Sequence, residues 1–475
     1  MSFVVEAFRQ VRPWLEQQAR KRGLWATRRA LLSELVLAFP ELAPSAGLIL
    51  QEAERRLALR ALGFGDLFLL RPRLLETYAS ALLDAAARHP KGRGVLWTDE
   101  LSGDKLLLTA EGAQGRDEQL LILLALSELV RKEQALRLLE EGREGFWCPT
   151  QTRQPKPSRP SPPLVAVWSL ASRPQVFWGP LVGRLVGSGV FTLDEGWAWG
   201  ARLRASVGGV CALVAREAEG GAQVEVAVDS AGRRNVQLYL ERFLESFLQK
   251  YAPPDSLKRE PRFACAGCKT PLTDLQAERR KERGFDWIAC NVCGARLQLH
   301  DPYEHPEGES RSIAVELEQA AKQERARQVA SLTLAGKRLL GEVDGLLFAC
   351  AEDRAPALKV GQWLEERGSL PWVAAWDWRV DLSGDAETEA RLSKIPAILV
   401  MVGAGRPLWE VEWRAALLQR LQAQGRAVGL VVLPSAQAAP SVPGWLEGVP
   451  SFDFRDRRRD VVGEVVEFLR QARAG

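Results

Sequence analysis

Four of the seven cysteines form two Cys-x-x-Cys pairs, Cys265/Cys268 and Cys290/Cys293, in the stretch FACAGCKTPLTDLQAERRKERGFDWIACNVCGAR. Two such knuckles roughly twenty residues apart supply four thiolates that can close a tetrahedron around Zn2+. A site made wholly of sulfur leaves no coordination position for water, so the metal would be structural and not catalytic. Gly267 and Gly294 stand where a tight knuckle favours a residue without a β-carbon. The basic run RRKERG between the knuckles reads as a solvated face, which makes the segment a staple before it is a nucleic-acid reader. His300 and His305 follow closely, but four sulfurs already satisfy the metal, and the remaining Cys148, Cys211 and Cys350 are scattered and read as packing residues.

The second stretch with chemistry in it is RPLWEVEWRAAL, residues 406–417. A helix starting near Pro407 lines up Leu408, Val411, Ala415 and Leu418 as its apolar stripe. Glu410, four residues before Arg414, is then placed for an intrahelical ion pair. Glu412 has no local basic partner and is flanked by Trp409 and Trp413. Spacing alone leaves it open whether Glu412 is a first-turn acid favoured by the helix dipole or a functional carboxylate. No histidine follows His305, so a Ser-His or Cys-His triad is excluded from the C-terminal part. No G-x-x-x-x-G-K-[ST] loop occurs anywhere, so the chain carries no Walker-type phosphate cradle.

The elements that must position these residues fall into a multidomain α+β and α/β order. Residues 1–148 read as helices around the short extended pieces of LWTDELSGDKLLLT, with EQLLILLALSELVRKEQALRLLEEG as one helix. Helices followed by a small hairpin resemble a winged helix, and a plain helical bundle fits nearly as well. The proline-rich PTQTRQPKPSRPSPP, residues 149–163, is expected to be a semi-rigid linker. Residues 164–255 combine strands such as LVAVWSL and QVEVAVD with the amphipathic helix NVQLYLERFLESFLQKY, a small α+β domain. The zinc ribbon follows at 256–306, then a charged helical spacer at 310–341. From 342 to 475, short apolar strands alternate with amphipathic helices, the pattern of a parallel sheet covered on both faces. No internal repeat is visible in the sequence.

Bulk composition narrows the setting. A chain of 475 residues is too long for one core. Its net charge of +4 is interleaved with acids and gives no nucleic-acid footprint. The first residues carry charges every few positions and no signal-peptide core, and no stretch reaches the ~20 apolar residues of a membrane span. Paired cysteines suited to metal fit a reducing compartment, and a cytoplasmic location is expected.

The segment from Asp344 to about Arg455 resembles a bacterial TIR (Toll/interleukin-1 receptor) domain, in five blocks in order. DGLLFACAEDRA stands at the first strand and its loop, and PWVAAWDWRVDLSGDAE at the second strand and the variable loop. AILVMVGAGRPLWEVEWRAAL stands at the third strand, glycine loop and acid-bearing helix; AVGLVVLP and LEGVPSFDFRD match the last two strands. The resemblance implies a flavodoxin-like fold and an NAD+ glycohydrolase that releases nicotinamide. It places the catalytic acid at Glu412, where a fixed carboxylate stabilises the oxocarbenium charge growing on the ribose. The same resemblance points to Phe348, Cys350, Trp376, Asp377 and Trp378 as the wall that holds NAD+. Two positions depart from the family pattern: Phe348-Ala349-Cys350-Ala351 replaces the usual Ser-Tyr, and Leu408 stands for a tryptophan.

The zinc ribbon and the helices before it also resemble segments between nucleotide-switch modules and TIR domains in large bacterial defence proteins. That implies a sensor and scaffold in front, self-association through the TIR domains, and any nucleotide switch residing on a separate partner. A non-catalytic TIR adaptor and a zinc-ribbon nucleic-acid binder are the other readings.

Overall fold

A computed structural model describes residues 2–474 except 63–66, 102–114, 141, 160, 207, 230–232, 264, 266, 267, 269, 271, 273, 300–309, 351, 374–391, 393, 437–440 and 457. The chain begins with helix α1 (Ser2–Arg22), strand β1 (Trp25–Thr27), helices α2 (Arg28–Ala38) and α3 (Ala46–Arg55), and strands β2 (Arg60–Ala61) and β3 (Leu67–Leu69). Thr27 caps α2, its hydroxyl accepting from the Ala30 amide at 3.1 Å. The three strands pair antiparallel in the order β1-β3-β2. Next come α4 (Arg73–Ala87), β4 (Val95–Trp97), α5 (Arg116–Arg131), β5 (Leu136–Glu140) and β6 (Arg143–Trp147), with sheet order β4-β6-β5. One topology, first strand beside third and third beside second, therefore occurs twice. The sequence shows no matching repeat; what the two stretches share is the order of their strands.

The single helix expected over 118–142 stops at Arg131. Glu133 turns to φ +59, and the amides of Gln134 and Ala135 both close on Leu129 O. The chain then enters the β5–β6 hairpin. Its Leu139 is 71 % exposed and faces outward on a strand. Part of the proline-rich stretch is docked: Trp147 Nε1 donates to Thr152 Oγ1 at 2.9 Å, and the Arg153 and Gln154 amides donate to Gly92 O.

Strands β7 (Leu164–Leu170), β8 (Phe191–Trp197), β9 (Gly200–Ala205), β10 (Val210–Ala218), β11 (Gly221–Val228) and β12 (Lys258–Pro261) form an antiparallel sheet ordered β12-β7-β11-β10-β9-β8. Helices α6 (Pro174–Gly187) and α7 (Arg233–Leu248) cover one face, with Phe177, Trp178, Leu240 and Phe247 in the core. Val95, Trp97, Leu136 and Trp147 join the same core. Helix α8 (Asp274–Glu282) and the hairpin β13 (Trp287–Ala289) and β14 (Arg296–Gln298) come after it, then the long helix α9 (Ser310–Leu340).

The C-terminal sheet contains β15 (Gly345–Phe348), β16 (Pro371–Val373), β17 (Ala397–Val402), β18 (Ala427–Val432) and β19 (Ser451–Asp453), with helices α10 (Arg354–Glu366), α11 (Glu412–Ala423) and α12 (Val461–Ala474). All strands are parallel, in the order β16-β15-β17-β18-β19. Counted along the segment this is 2-1-3-4-5, the doubly wound order whose switch point lies between β15 and β17. Ala397, Leu399 and Met401 pack with α10 and α12, while Ile398, Val400 and Val402 pack with α11. A strand buried on both faces has to be apolar throughout, which is why AILVMV reads as an unbroken run.

The chain divides into two compact units, one of Met1–Thr77, Ala113–Leu124 and Val329–Gly475, the other of Tyr78–Gly112 and Ala125–Gln328. Within the first, a buried ion cluster fixes the C-terminal half of α9 to the parallel sheet. Lys337 Nζ bonds the Asp344 carboxylate and donates to Gly368 O at 2.7 Å. Asp344 also accepts from the Leu370 amide at 2.6 Å and from Arg473 Nη1 at 2.6 Å. No described helix is long and apolar enough to cross a membrane.

Asp344→Ala should lower stability by about 3–5 kcal/mol, because it strands a buried ammonium. Glu467→Ala, which removes an exposed pair with Arg470, should cost under ~1 kcal/mol. Thermal or urea unfolding of the two variants measures the contrast.

Candidate functional site

The metal candidate is assembled by two turns of the same kind. The Cys265 amide donates to Thr270 O and the Cys290 amide to Ala295 O, both at 2.9 Å. Each closes a loop that turns both sulfurs of its pair inward. Gly294 has φ +73, the left-handed conformation its place in the knuckle requires; Gly267 lies outside the described residues. Strands β13 and β14 pair through Ile288↔Leu297, and Leu297 packs against Cys265 and Cys290 as a small core.

The four sulfur ligands all lie within 4.8 Å of one another. Cys265 and Cys293 are separated by 3.4 Å, as are Cys268 and Cys290. These separations exceed a ~2.05 Å disulfide bond, and Zn–S bonds of ~2.3 Å require sulfur–sulfur edges of about 3.8 Å. The donor set and spacing therefore fit a tetrahedral metal ion, with four sulfurs favouring zinc. Electrostatics point the same way. The Thr270 hydroxyl and amide bring the Cys268 thiol down to about 6. At Cys293 the Ala295 amide favours the thiolate, but the neighbouring Cys265 and Cys268 outweigh it and push the group up to about 11. Like charges this close cannot all ionise without a cation among them.

The basic run beside the knuckles is partly engaged. The Arg280 guanidinium lies 4.1 Å from the Phe285 ring and 5.6 Å from that of Trp287, and Arg296 lies 4.5 Å from Trp287. His300 and His305 lie outside the described residues.

The second candidate lies beyond the C-terminal ends of β15 and β17. Asp353, 1 % exposed, joins the loops that follow three neighbouring strands. Its Oδ1 accepts from the Ala404 amide at 2.9 Å and from Ser435 Oγ at 3.4 Å. Its Oδ2 accepts from the Gly405 amide at 3.3 Å and from the Cys350 thiol at 3.1 Å. Glycine is required here by space: a β-carbon on Gly403 would collide with Asp353, and one on Gly405 with Cys350. Glu352, exposed, stands beside Gly405, where a β-carbon on the glycine would also crowd its side chain. Asp353 and Glu352 stand in the block DGLLFACAEDRA, yet spacing alone assigned them nothing. The readable signal was an acid pair directly ahead of the helix after the first strand.

Glu412 opens α11 as its first residue, with Val411 as an extended N-cap that makes no side-chain bond. The carboxylate is exposed, Trp413 is 46 % exposed, and Trp409 packs on the core. The expected pair between Glu410 and Arg414 does not form. Residues Leu408–Glu410 make a separate 3-10 turn, so Glu410 is not on the helix of Arg414 and bonds Arg406 at 2.8 Å instead. The buried stripe is correspondingly Leu417, Leu418 and Leu421, with Leu408 inserted from the turn, and not Val411 or Ala415. Phe348 and Cys350 are each 3 % exposed. Burial, with Asp353 beside it, pushes the Cys350 thiol up to about 12. Trp376, Asp377 and Trp378 lie outside the described residues.

Neither a scan against protein-family models nor a search of curated proteins finds a match.

Metal-loaded protein should hold one zinc per chain and show the four knuckle thiols reacting with a thiol reagent only after chelation. Cys148, Cys211 and Cys350 should stay silent until unfolding, since burial covers them and pushes each up to about 12. Separately, Asp353→Ala leaves the loop amides unsatisfied and should cost roughly 1–3 kcal/mol, read as a lowered unfolding midpoint.

Proposed function

We propose that the chain is a TIR-type NAD+ glycohydrolase activated by assembly, with Glu412 as the acid that stabilises charge on the ribose. The observation that carries this reading is the position of Glu412. It is an exposed carboxylate at the first residue of the helix following the central strand, in a parallel sheet ordered 2-1-3-4-5. Ligands of such sheets bind beyond the strand ends at the switch point, where Asp353 fixes the two loops. Nicotinamide leaves NAD+ from a cationic ring, so the reaction needs charge stabilisation more than a strong general acid. A part without histidine can supply that.

Phe348 and Cys350, being buried, would act from beneath the loops, and a ligand would meet backbone and Glu352 first. The exposure of Glu412 supports a site completed by a second TIR domain, hence self-association. It equally favours a second reading, a non-catalytic adaptor whose Glu412 is a solvated helix acid. The N-terminal part, read as two winged-helix-like modules, and the zinc ribbon would then serve as sensor and scaffold in a reducing, cytoplasmic setting. A nucleotide switch, where one operates, belongs to a partner protein.

Two observations weigh against the nucleic-acid reading. Helix α5, the counterpart of a winged helix's reading helix, buries Leu120, Leu121, Ile122, Ala125, Leu126 and Leu129. In the first module α3 presents Leu48, Gln51, Glu54 and Arg55 outward, a face without net positive charge.

Full-length protein incubated with NAD+, in dilute buffer and with a crowding agent, should release nicotinamide in the assembled state. Glu412→Ala should lower release at least about 100-fold, and Glu410→Ala should leave most of it. Assembled protein that releases none would establish the adaptor reading.

A further inference from the structure

The hairpin between β8 and β9 contains a backbone conformation that its sequence does not favour. Trp197 pairs with Gly200 across the turn, leaving Ala198 and Trp199 as the two-residue connection. Trp199 has φ +56, the left-handed region that glycine or asparagine occupies readily and a bulky side chain does not. Among the described residues it is the one aromatic residue in that region. Both turn residues are pinned: the Ala198 amide donates to Gln154 O at 2.9 Å, and Trp199 O accepts from the Ala215 amide at 2.8 Å. A residue kept in a strained conformation by its surroundings is a pointer to use.

That conformation sets the Trp199 indole at a cavity of about 360 Å³, lined also by Trp197, Lys156, Pro174, Arg216 and Glu217. A β-carbon on Gly200 would overlap the Trp197 ring, so the glycine allows that indole to lie flat against the turn. Trp197 is 3 % exposed and forms the floor, while Trp199 is partly buried, packing on the core of the domain and also lining the cavity. Two charged groups are committed, Arg216 to Glu225 at 3.1 Å and Glu217 to Gln175 at 2.8 Å. Lys156 is exposed and has no ion pair among the described residues.

We infer that this cavity is a mononucleotide site for an adenine nucleotide, unconnected with NAD+ cleavage. A heteroaromatic ring stacks on the part of the Trp199 indole that lines the cavity and is left open by the core, and such stacking accepts any planar base. The Lys156 ammonium takes the phosphate as a point charge. Glu217 retains lone pairs for the ring amino group, which selects adenine over a base with a carbonyl at that position. The volume falls within the ~300–1,000 Å³ range of small-molecule sites.

Calorimetric titration of the full chain with AMP, adenosine and inorganic phosphate tests this. AMP should bind, adenosine more weakly, and phosphate alone not at all. Trp199→Gly relieves the left-handed backbone and offsets the packing lost with the indole, so its melting temperature should stay close to that of the parent while AMP affinity falls at least about tenfold. Trp199→Phe should keep most of the affinity, and Lys156→Ala should reduce AMP to the level of adenosine. The inference is overturned by AMP failing to bind at millimolar concentration, or by unchanged affinity in Trp199→Gly or Lys156→Ala. A lowered melting temperature in Trp199→Gly with intact AMP binding also overturns it, because the indole is then there for packing. Should Trp199→Gly not fold, the Trp199→Phe and Lys156→Ala titrations decide.

Discussion

Burial of β17 on both faces is the constraint from which the C-terminal half follows. Ala397–Val402 has no side chain that tolerates water, so helices must lie on both sides of the sheet. Helices on alternating sides require parallel strands, and parallel strands deliver their following loops to one edge. That edge is where Asp353, the glycine pair Gly403 and Gly405, and Ser435 meet. An apolar requirement at the centre of the sheet thus produces the polar crevice at its rim. Asp353 then locks the crevice by taking up amides that the turning backbone would otherwise leave unpaired.

Much of this was legible from residue order, for definite reasons. The runs AILVMV and AVGLVV could only be doubly covered strands, and two Cys-x-x-Cys pairs have few uses outside metal binding. What sequence could not resolve was where α11 starts. Pro407 is a strong helix-start signal, and Glu410 and Arg414 have ideal spacing. The deciding factor was tertiary: Leu408 is fully buried in the core on the α11 side of the sheet. Its insertion draws residues 408–410 into their own turn and leaves Val411 extended, so that Glu412 becomes the first helical residue. A contact between distant parts of the chain overrode local propensity.

The repeated N-terminal topology was hidden for a related reason. Two stretches with different residues can fold alike when each supplies apolar positions on the same faces, and then no identity survives to be read. In the second, Glu133 illustrates the point. Its left-handed backbone ends α5 although nothing in RKEQALR announces a stop. Its carboxylate is held by Arg184 at 3.0 Å, a partner 51 residues away. The helix ends where a distant cation secures that carboxylate.

The ion cluster around Asp344 has a temporal side. Lys337 precedes Asp344 by 7 residues, and Arg473 follows it by 129. Synthesis at roughly 5–20 residues per second separates Asp344 from Arg473 by about 6 to 26 seconds. The two cations of one carboxylate thus come from opposite ends of the segment: Lys337 belongs to the helix made just before it, and Arg473 exists only once the last helix is made, so the cluster is completed last.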